Sequence, residues 1–229
     1  MHEFAHRAGL RWDPTLQYAS ARLQKEIPGG VKVNGHPRVS GIFDTMNCAL
    51  VHGVQLPKPL YDEQIQKDLE GAIVEEWFAG YRDSAEFRRL GIGSFLGDIL
   101  DRMDDSSGRH DEIGVKLAMY GSHDTQLASI LASLQTFDGR WPCFTSSIAF
   151  ELFSRPSQSP LGATWKGADY FVRMMYNDKA LVIPACKAKA NHLDGNESFC
   201  TLDAFRQVVE QMRPKDWKQE CRLVSEELS

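Results

Sequence analysis

Val115-Lys116-Leu117-Ala118-Met119-Tyr120-Gly121-Ser122-His123-Asp124-Thr125-Gln126-Leu127 divides into three pieces. Val115 to Tyr120 is apolar except for Lys116 and predicts a short buried strand. Gly121-Ser122 predicts a tight turn. Leu127, Ile130, Leu131 and Leu134 then recur at helical spacing, so a helix follows the turn. Strand, turn and helix in that order are the building unit of open α/β sheets, whose ligands bind outside the carboxyl ends of the strands. The turn opens a helix whose free N–H groups and dipole favour an anion. His123 stands where it can donate to a phosphate oxygen, and Asp124 where its acid form can protonate a leaving alkoxide. The plainer reading makes Asp124 a helix-capping residue. His110-Asp111 is a second such pair, in a charged loop, with no role assigned.

Upstream of this stretch the chain reads as helical. Asp13-Pro14 predicts a helix start. Pro37 opens another helix, with Val39, Ile42, Phe43 and Met46 on one face. A long amphipathic helix is predicted over Tyr61 to Tyr81, through Ile65, Leu69, Ile73, Trp77 and Phe78. Ile92, Phe95, Leu96, Ile99, Leu100 and Met103 predict a further one, and Asp104 to Glu112 a charged loop after it. Downstream, Ser147–Phe153 and Asp169–Tyr176 predict an antiparallel pair of strands joined by a loop from Ser154 to Gly167. Thr201 caps a last helix whose Leu202, Phe205, Val209 and Met212 face inward. The fold class is therefore α/β. It is read as one domain over 1–229, with a mostly helical lobe over about 1–110 and part of an α/β layer over about 111–229.

The 229 residues, 42% hydrophobic and 25% charged, suit a globular chain that folds without staples. A net charge of −5 and a pI near 5.8 argue against a nucleic-acid partner, which needs a basic face. No apolar run approaches the ~18 residues of a transmembrane segment. The start, Met1-His2-Glu3-Phe4, lacks the apolar stretch of a signal peptide. Cys48, Cys143, Cys186, Cys200 and Cys221 are an odd number, which leaves one thiol over if the others pair. Asn196-Glu197-Ser198 is an N-glycosylation sequon in a polar loop.

His2-Glu3-Phe4-Ala5-His6 matches the zinc-peptidase pattern His-Glu-x-x-His, and Gly9 fits its extension. Trp12 then stands where a third ligand is required, and indole does not bind zinc. A metallopeptidase is the remote alternative, and a plain N-terminal helix the bland one. Cys186, His192 and Cys200 are irregularly spaced for a metal site and read better as a disulfide-closed loop.

Met119 to Thr125 is followed in order by Phe137-Asp138-Gly139-Arg140-Trp141-Pro142, Glu151-Leu152-Phe153, Tyr170 to Tyr176, Ile183-Pro184-Ala185-Cys186, Cys200 to Phe205, Asp216-Trp217 and Cys221. Upstream stand Phe43 to Cys48 and Val51 to Pro57. From about Ser40 to Cys221 this series resembles the C-terminal portion of eukaryotic histidine acid phosphatases, branch 2 of the histidine phosphatase superfamily. The stretch Phe137 to Pro142 looks like the lysophosphatidic-acid phosphatases among them. The resemblance implies a phosphoglycerate-mutase-like three-layer fold with a helical lobe. It implies phosphomonoester hydrolysis through a phosphohistidine, with no metal or other cofactor. Asp124 would be the proton donor, and His123 would contact the phosphoryl group. The substrate would be a small phosphomonoester such as a lysophospholipid or sugar phosphate. A homodimer and a secreted, lysosomal or vacuolar location are also in keeping with it.

The nucleophile's motif in that family, Arg-His-Gly-x-Arg, does not occur in these residues; Arg109-His110 is followed by Asp111. The sequence is thus expected to be an N-terminally truncated domain, lacking part of the sheet and inactive by itself. The alternative is a non-catalytic module that binds phosphorylated ligands or partners. The resemblance also implies a Cys186–Cys200 disulfide, a Cys48–Cys143 pairing, and a partner for Cys221 upstream of the chain.

Overall fold

The computed structural model describes residues 2–108, 115–159 and 162–226, with backbone alone at His2, 157–159, 162–168 and 223–226. It divides into two compact units, Met1–Asp83 with Asp138–Trp141, and Ser84–Phe137 with Pro142–Ser229.

The first unit holds α1 (His2–Trp12), α2 (Gln17–Arg22), α3 (Val39–Val51) and α4 (Glu63–Asp83). Helix α1 packs on α4. Gly71 makes this possible, because a Cβ there would stand 2.3 Å from the Trp12 ring. Asp13-Pro14 does not start a helix: the Asp13 N–H closes α1 onto the Gly9 carbonyl at 3.0 Å. Its carboxylate instead accepts the Val33 N–H, tying down the loop that follows α2. Val39, Ile42, Phe43 and Met46 form the buried stripe of α3, and Ile65, Leu69 and Ile73 that of α4. Trp77 leaves the stripe. Each four-residue step turns a helix about 40° past one full revolution, so by the third step Phe78 faces inward and Trp77 outward. The segment Asp138–Trp141 belongs to this unit. The Trp141 ring meets those of Phe43, Trp77 and Phe78 at centroid distances of 6.1, 6.3 and 5.0 Å. Glu70 accepts from both the Arg140 guanidinium and the Trp141 N–H at 2.9 Å.

The second unit opens with α5 (Ala85–Arg88), capped by the Ser84 hydroxyl, and a π-helical turn at Arg89–Gly93 that runs into α6 (Ser94–Ser106). Then come α7 (Asp124–Ser133), β1 (Ile148–Ser159), β2 (Gly162–Tyr176), β3 (Lys179–Leu181), β4 (His192–Leu193) and β5 (Asn196–Thr201), followed by α8 (Leu202–Met212) and α9 (Trp217–Glu226). The described strands are antiparallel in the order β1-β2-β5-β4, with β3 beside β2. Helix α8 covers one sheet face, where Phe150 and Phe205 meet at 5.7 Å. On the opposite face the Arg173 guanidinium lies 5.0 Å from the Phe153 ring and 5.1 Å from the Phe199 ring, and bonds Glu151 at 2.7 Å. The Thr201 hydroxyl caps α8 through the Ala204 N–H, as predicted, though α9 is the last helix.

Helix α6 meets α8 through small residues and charge. A Cβ on Gly93 would fall 1.9 Å from the Met212 carbonyl, and one on Gly97 would fall 3.0 Å from Arg213 Nε. Arg213 bonds Asp101 at 2.8 and 2.5 Å, and Arg206 chelates the buried Asp104. This pairing explains why α6 runs on to Ser106 where the charged sequence predicts a loop from Asp104. Of that predicted loop, Arg109 to Glu112 lies outside the described residues. The Trp217 indole donates to the Leu90 carbonyl at 2.7 Å, satisfying a group in the π-helical turn, where the regular ladder is shifted.

Two further expectations are corrected. The predicted loop from Ser154 to Gly167 is largely strand, because β1 and β2 continue their ladder to Ser159 and Gly162. The predicted buried strand over Val115 to Tyr120 is neither strand nor buried. Val115, Leu117 and Met119 are 52, 76 and 86% exposed, and none of the described strands pairs with them. An apolar run reports a preference for burial, which only a neighbouring strand and a covering layer can satisfy.

Candidate functional site

The site lies where the uncovered run turns into α7. Tyr120 is held at the end of that run from three directions, all of them from α6. Its hydroxyl donates to Asp98 at 2.7 Å, its ring stands edge-on to Phe95 at 5.1 Å, and the Arg102 guanidinium lies 5.8 Å from the ring centre. Arg102 also bonds Asp98 at 3.2 Å, one helical turn away. The Tyr120 hydroxyl holds the Asp98 carboxyl below the usual carboxylate range, with help from Arg102 and Arg213. Burial, and then the bond to Asp98, push the phenol up.

After Gly121 the chain reaches His123 in an extended conformation, with φ −112° and ψ 157°, at the N-cap of α7. Its carbonyl accepts the Gln126 and Leu127 N–H groups at 3.0 and 3.1 Å, which starts the helix. Its imidazole makes no capping bond and is exposed. Asp124 is the first helical residue, also exposed, and its Oδ1 accepts the Thr125 N–H at 2.7 Å. The Ser122 hydroxyl donates to Gln126 Oε1 at 2.6 Å across the first turn. A carboxylate in the first turn faces the positive end of the helix dipole. Behind it Ala128, Ile130, Leu131 and Leu134 are buried, which anchors the helix and so the pair at its tip.

The structure therefore brings His123 and Asp124 together at one accessible helix N-terminus, next to a braced tyrosine. Such an end offers its dipole to an oxyanion, an imidazole to hold it and a carboxyl to pass a proton. Asp98, Arg102 and Gln126 are absent from the expected site. The first two show in the sequence as an i,i+4 charge pair on α6, with nothing to join them to a residue eighteen positions later.

Elsewhere in this unit a cavity of about 380 Å³ is lined by Arg155, Asp169, His192, Asp194 and Asp203 among others, and includes neither His123 nor Asp124. Cys186 and Cys200 form a disulfide. Cys48 and Cys143 are exposed free thiols, and Cys221 is free as well. Among the described residues no group of three or more His, Cys, Asp or Glu is placed to hold a metal ion. The side chain of His2 and all of His110-Asp111 lie outside them. Trp12, at the third-ligand position of the zinc pattern, is packing against Gly71. No described helix is long and apolar enough to cross a membrane.

Comparison with known proteins adds a family to this geometry. Residues 11–177 match the model of the histidine phosphatase superfamily, branch 2. The chain is 33% identical to a probable acid phosphatase of Schizosaccharomyces pombe, over 97% of its own length and 56% of that protein's. It is 29% identical to human lysosomal acid phosphatase, over 82% of the chain and 41% of the relative. With human prostatic acid phosphatase it shares 26%, over 80% and 43%. The chain thus spans about half the length, or less, of these relatives, and the mixed helix and antiparallel sheet described above accord with their α/β fold. On the match over residues 11–177, this chain belongs to branch 2 of the histidine phosphatase superfamily.

Proposed function

We propose that this chain is the proton-donating portion of a phosphomonoester hydrolase. The observation that carries the reading is the exposed His123-Asp124 pair at the N-terminus of α7. His123 contacts a phosphoryl oxygen, which the α7 N-terminus also attracts. Asp124, in its acid form, gives its proton to the departing alkoxide as the P–O bond breaks, because an unprotonated alkoxide leaves poorly. After the alcohol has gone, the same carboxylate takes a proton from the water that attacks the phosphoenzyme. The nucleophile is a histidine in Arg-His-Gly-x-Arg, and the arginines of that motif clamp the phosphoryl oxygens. The motif is not among these 229 residues, so a longer protein, of the kind the relatives represent, would supply it together with a strand for the uncovered run at Val115–Tyr120. The substrate is a small phosphomonoester, with a lysophospholipid or a sugar phosphate as the leading classes, and no metal takes part.

The missing motif also favours a second reading for the chain taken alone, as a module that binds phosphorylated ligands without turning them over. The test is hydrolysis of p-nitrophenyl phosphate by the purified, folded chain at mildly acidic pH, beside Asp124→Ala. No turnover, with phosphate shifting the His123 ring resonances, is the expected result. Turnover of p-nitrophenyl phosphate by the folded chain, together with turnover of an alkyl phosphate that Asp124→Ala abolishes, would place a nucleophile within this chain and overturn the assignment. Resonances that phosphate leaves untouched would remove His123 from the phosphate site.

A further inference from the structure

We propose that Asn196 is a site of N-linked glycosylation. It begins the only Asn-X-Ser/Thr in the sequence, with Glu197 in the middle position. The residue opens β5 directly after Gly195, which takes a φ of +80° at the tip of the β4–β5 hairpin. Asn196 and Glu197 are exposed, and a Cβ built on Gly195 meets nothing within 4 Å, so the tip stands in open space.

The carboxamide is also arranged for the chemistry. Asn196 Oδ1 accepts both the Ser198 N–H at 3.1 Å and the Ser198 hydroxyl at 2.7 Å. Its Nδ2 makes no hydrogen bond to the described residues. Two nearby asparagines differ: Asn191 Nδ2 donates to the Ala185 carbonyl at 2.8 Å, and Asn177 Nδ2 to the Ser146 hydroxyl at 3.4 Å. In the transfer step Nδ2 loses a proton to a base and attacks the first sugar carbon of an oligosaccharide carried on a polyprenyl pyrophosphate. An N–C bond forms, and the bond from that carbon to the pyrophosphate oxygen breaks. Its electron pair leaves with the lipid pyrophosphate. Two donors on Oδ1 stabilise the charge that gathers there as Nδ2 gives up its proton.

A second, independent observation places the chain where such donors act. Cys200, four positions beyond Asn196, is disulfide-bonded to Cys186. Disulfides form and persist in the oxidising lumen of the secretory pathway, which also houses oligosaccharide transfer. One hairpin thus carries both marks. The consequence for the fold is cover for an edge: β4 ends the strand order, and a glycan at the hairpin tip hinders another chain from adding to it.

The test is peptide mapping of the protein isolated from the cells that make it. Trypsin releases Ala190–Arg206, which contains Asn196 and, as an internal control, Asn191. The expected result is a glycopeptide disulfide-linked through Cys200, which peptide N-glycosidase converts to one bearing aspartate at 196 and unchanged asparagine at 191. Expressed behind a secretory leader, Ser198→Ala abolishes the glycosidase-sensitive gel shift and Ser198→Thr keeps it. A disulfide-linked peptide with bare Asn196, or a native chain whose Cys186 and Cys200 are reduced, would overturn the proposal. Neither result bears on Asp124, so the phosphatase reading stands or falls separately.

Discussion

The Tyr120 hydroxyl donates to Asp98 at 2.7 Å, and this bond ties the stretch leading to His123 onto α6. The tie is suited to acid conditions. A carboxyl whose folded pKa is lowered stabilises the fold at pH values above its unfolded pKa, and that stability is lost only as pH falls through the folded pKa. Asp98 is such a group, lowered first by Tyr120 and then by Arg102.

Replacing Tyr120 with Phe keeps the ring on Phe95 and removes the bond. In a carbon-13 NMR titration the Asp98 carboxyl is expected to move up toward the ordinary carboxylate range. The His123 backbone amide should broaden or shift as the loop loosens. An unchanged Asp98 titration would mean that Arg102 and Arg213 alone hold it down.

Asp124→Asn separates proton donation from the rest of the chemistry when made in a protein that also carries the Arg-His-Gly-x-Arg segment. A general acid contributes about 10²- to 10⁴-fold when the leaving group needs a proton. Alkyl phosphates should lose that much in kcat/KM, while p-nitrophenyl phosphate, whose phenolate leaves unaided, loses far less. Equal losses on both substrates would assign Asp124 to binding or folding.

Cys186 and Cys200 close a loop with a sequence separation of 14. Chain-entropy reasoning gives about 3 kcal/mol for a loop of that size. The double Cys→Ser variant should lower the urea midpoint accordingly, and reducing agent should do the same to the parent chain. A loss well below about 1 kcal/mol would mean that the reduced loop keeps its closure through other contacts.

Two glycines should respond oppositely to alanine. Gly93→Ala drives a methyl into the Met212 carbonyl, for which overpacking predicts a loss of at least about 1–3 kcal/mol. Gly41, within α3, has nothing within 4 Å of the position a methyl would take, so Gly41→Ala should gain about 0.5–1 kcal/mol from helix propensity. Thermal melts of the two variants decide both signs.

The helices were legible wherever a stripe is repeated over several turns, as in α3, α4 and α6, because period alone encodes an amphipathic face. His123-Asp124 was legible because both residues are contiguous and the turn before them is built of small residues. What the sequence hid is non-local. Asp104 reads as the start of a loop until Arg206, far along the chain, is seen to neutralise it within α6 and α8. Tyr120 reads as the end of a core strand, yet its hydroxyl and ring are both engaged by α6. Val115 to Met119 has the composition of a core strand but pairs with none of the described strands.

That last segment has a bearing on how the chain behaves in a test tube. Exposed apolar side chains at Val115, Leu117 and Met119 make a sticky strip, and Lys116 is its sole charge. Colloidal stability then rests on a net charge of −5 that salt readily screens. Concentrated or high-salt preparations would cloud first through this strip. A lysine at Leu117 would act as a gatekeeper there, leaving the Tyr120 brace and the His123-Asp124 tip in place.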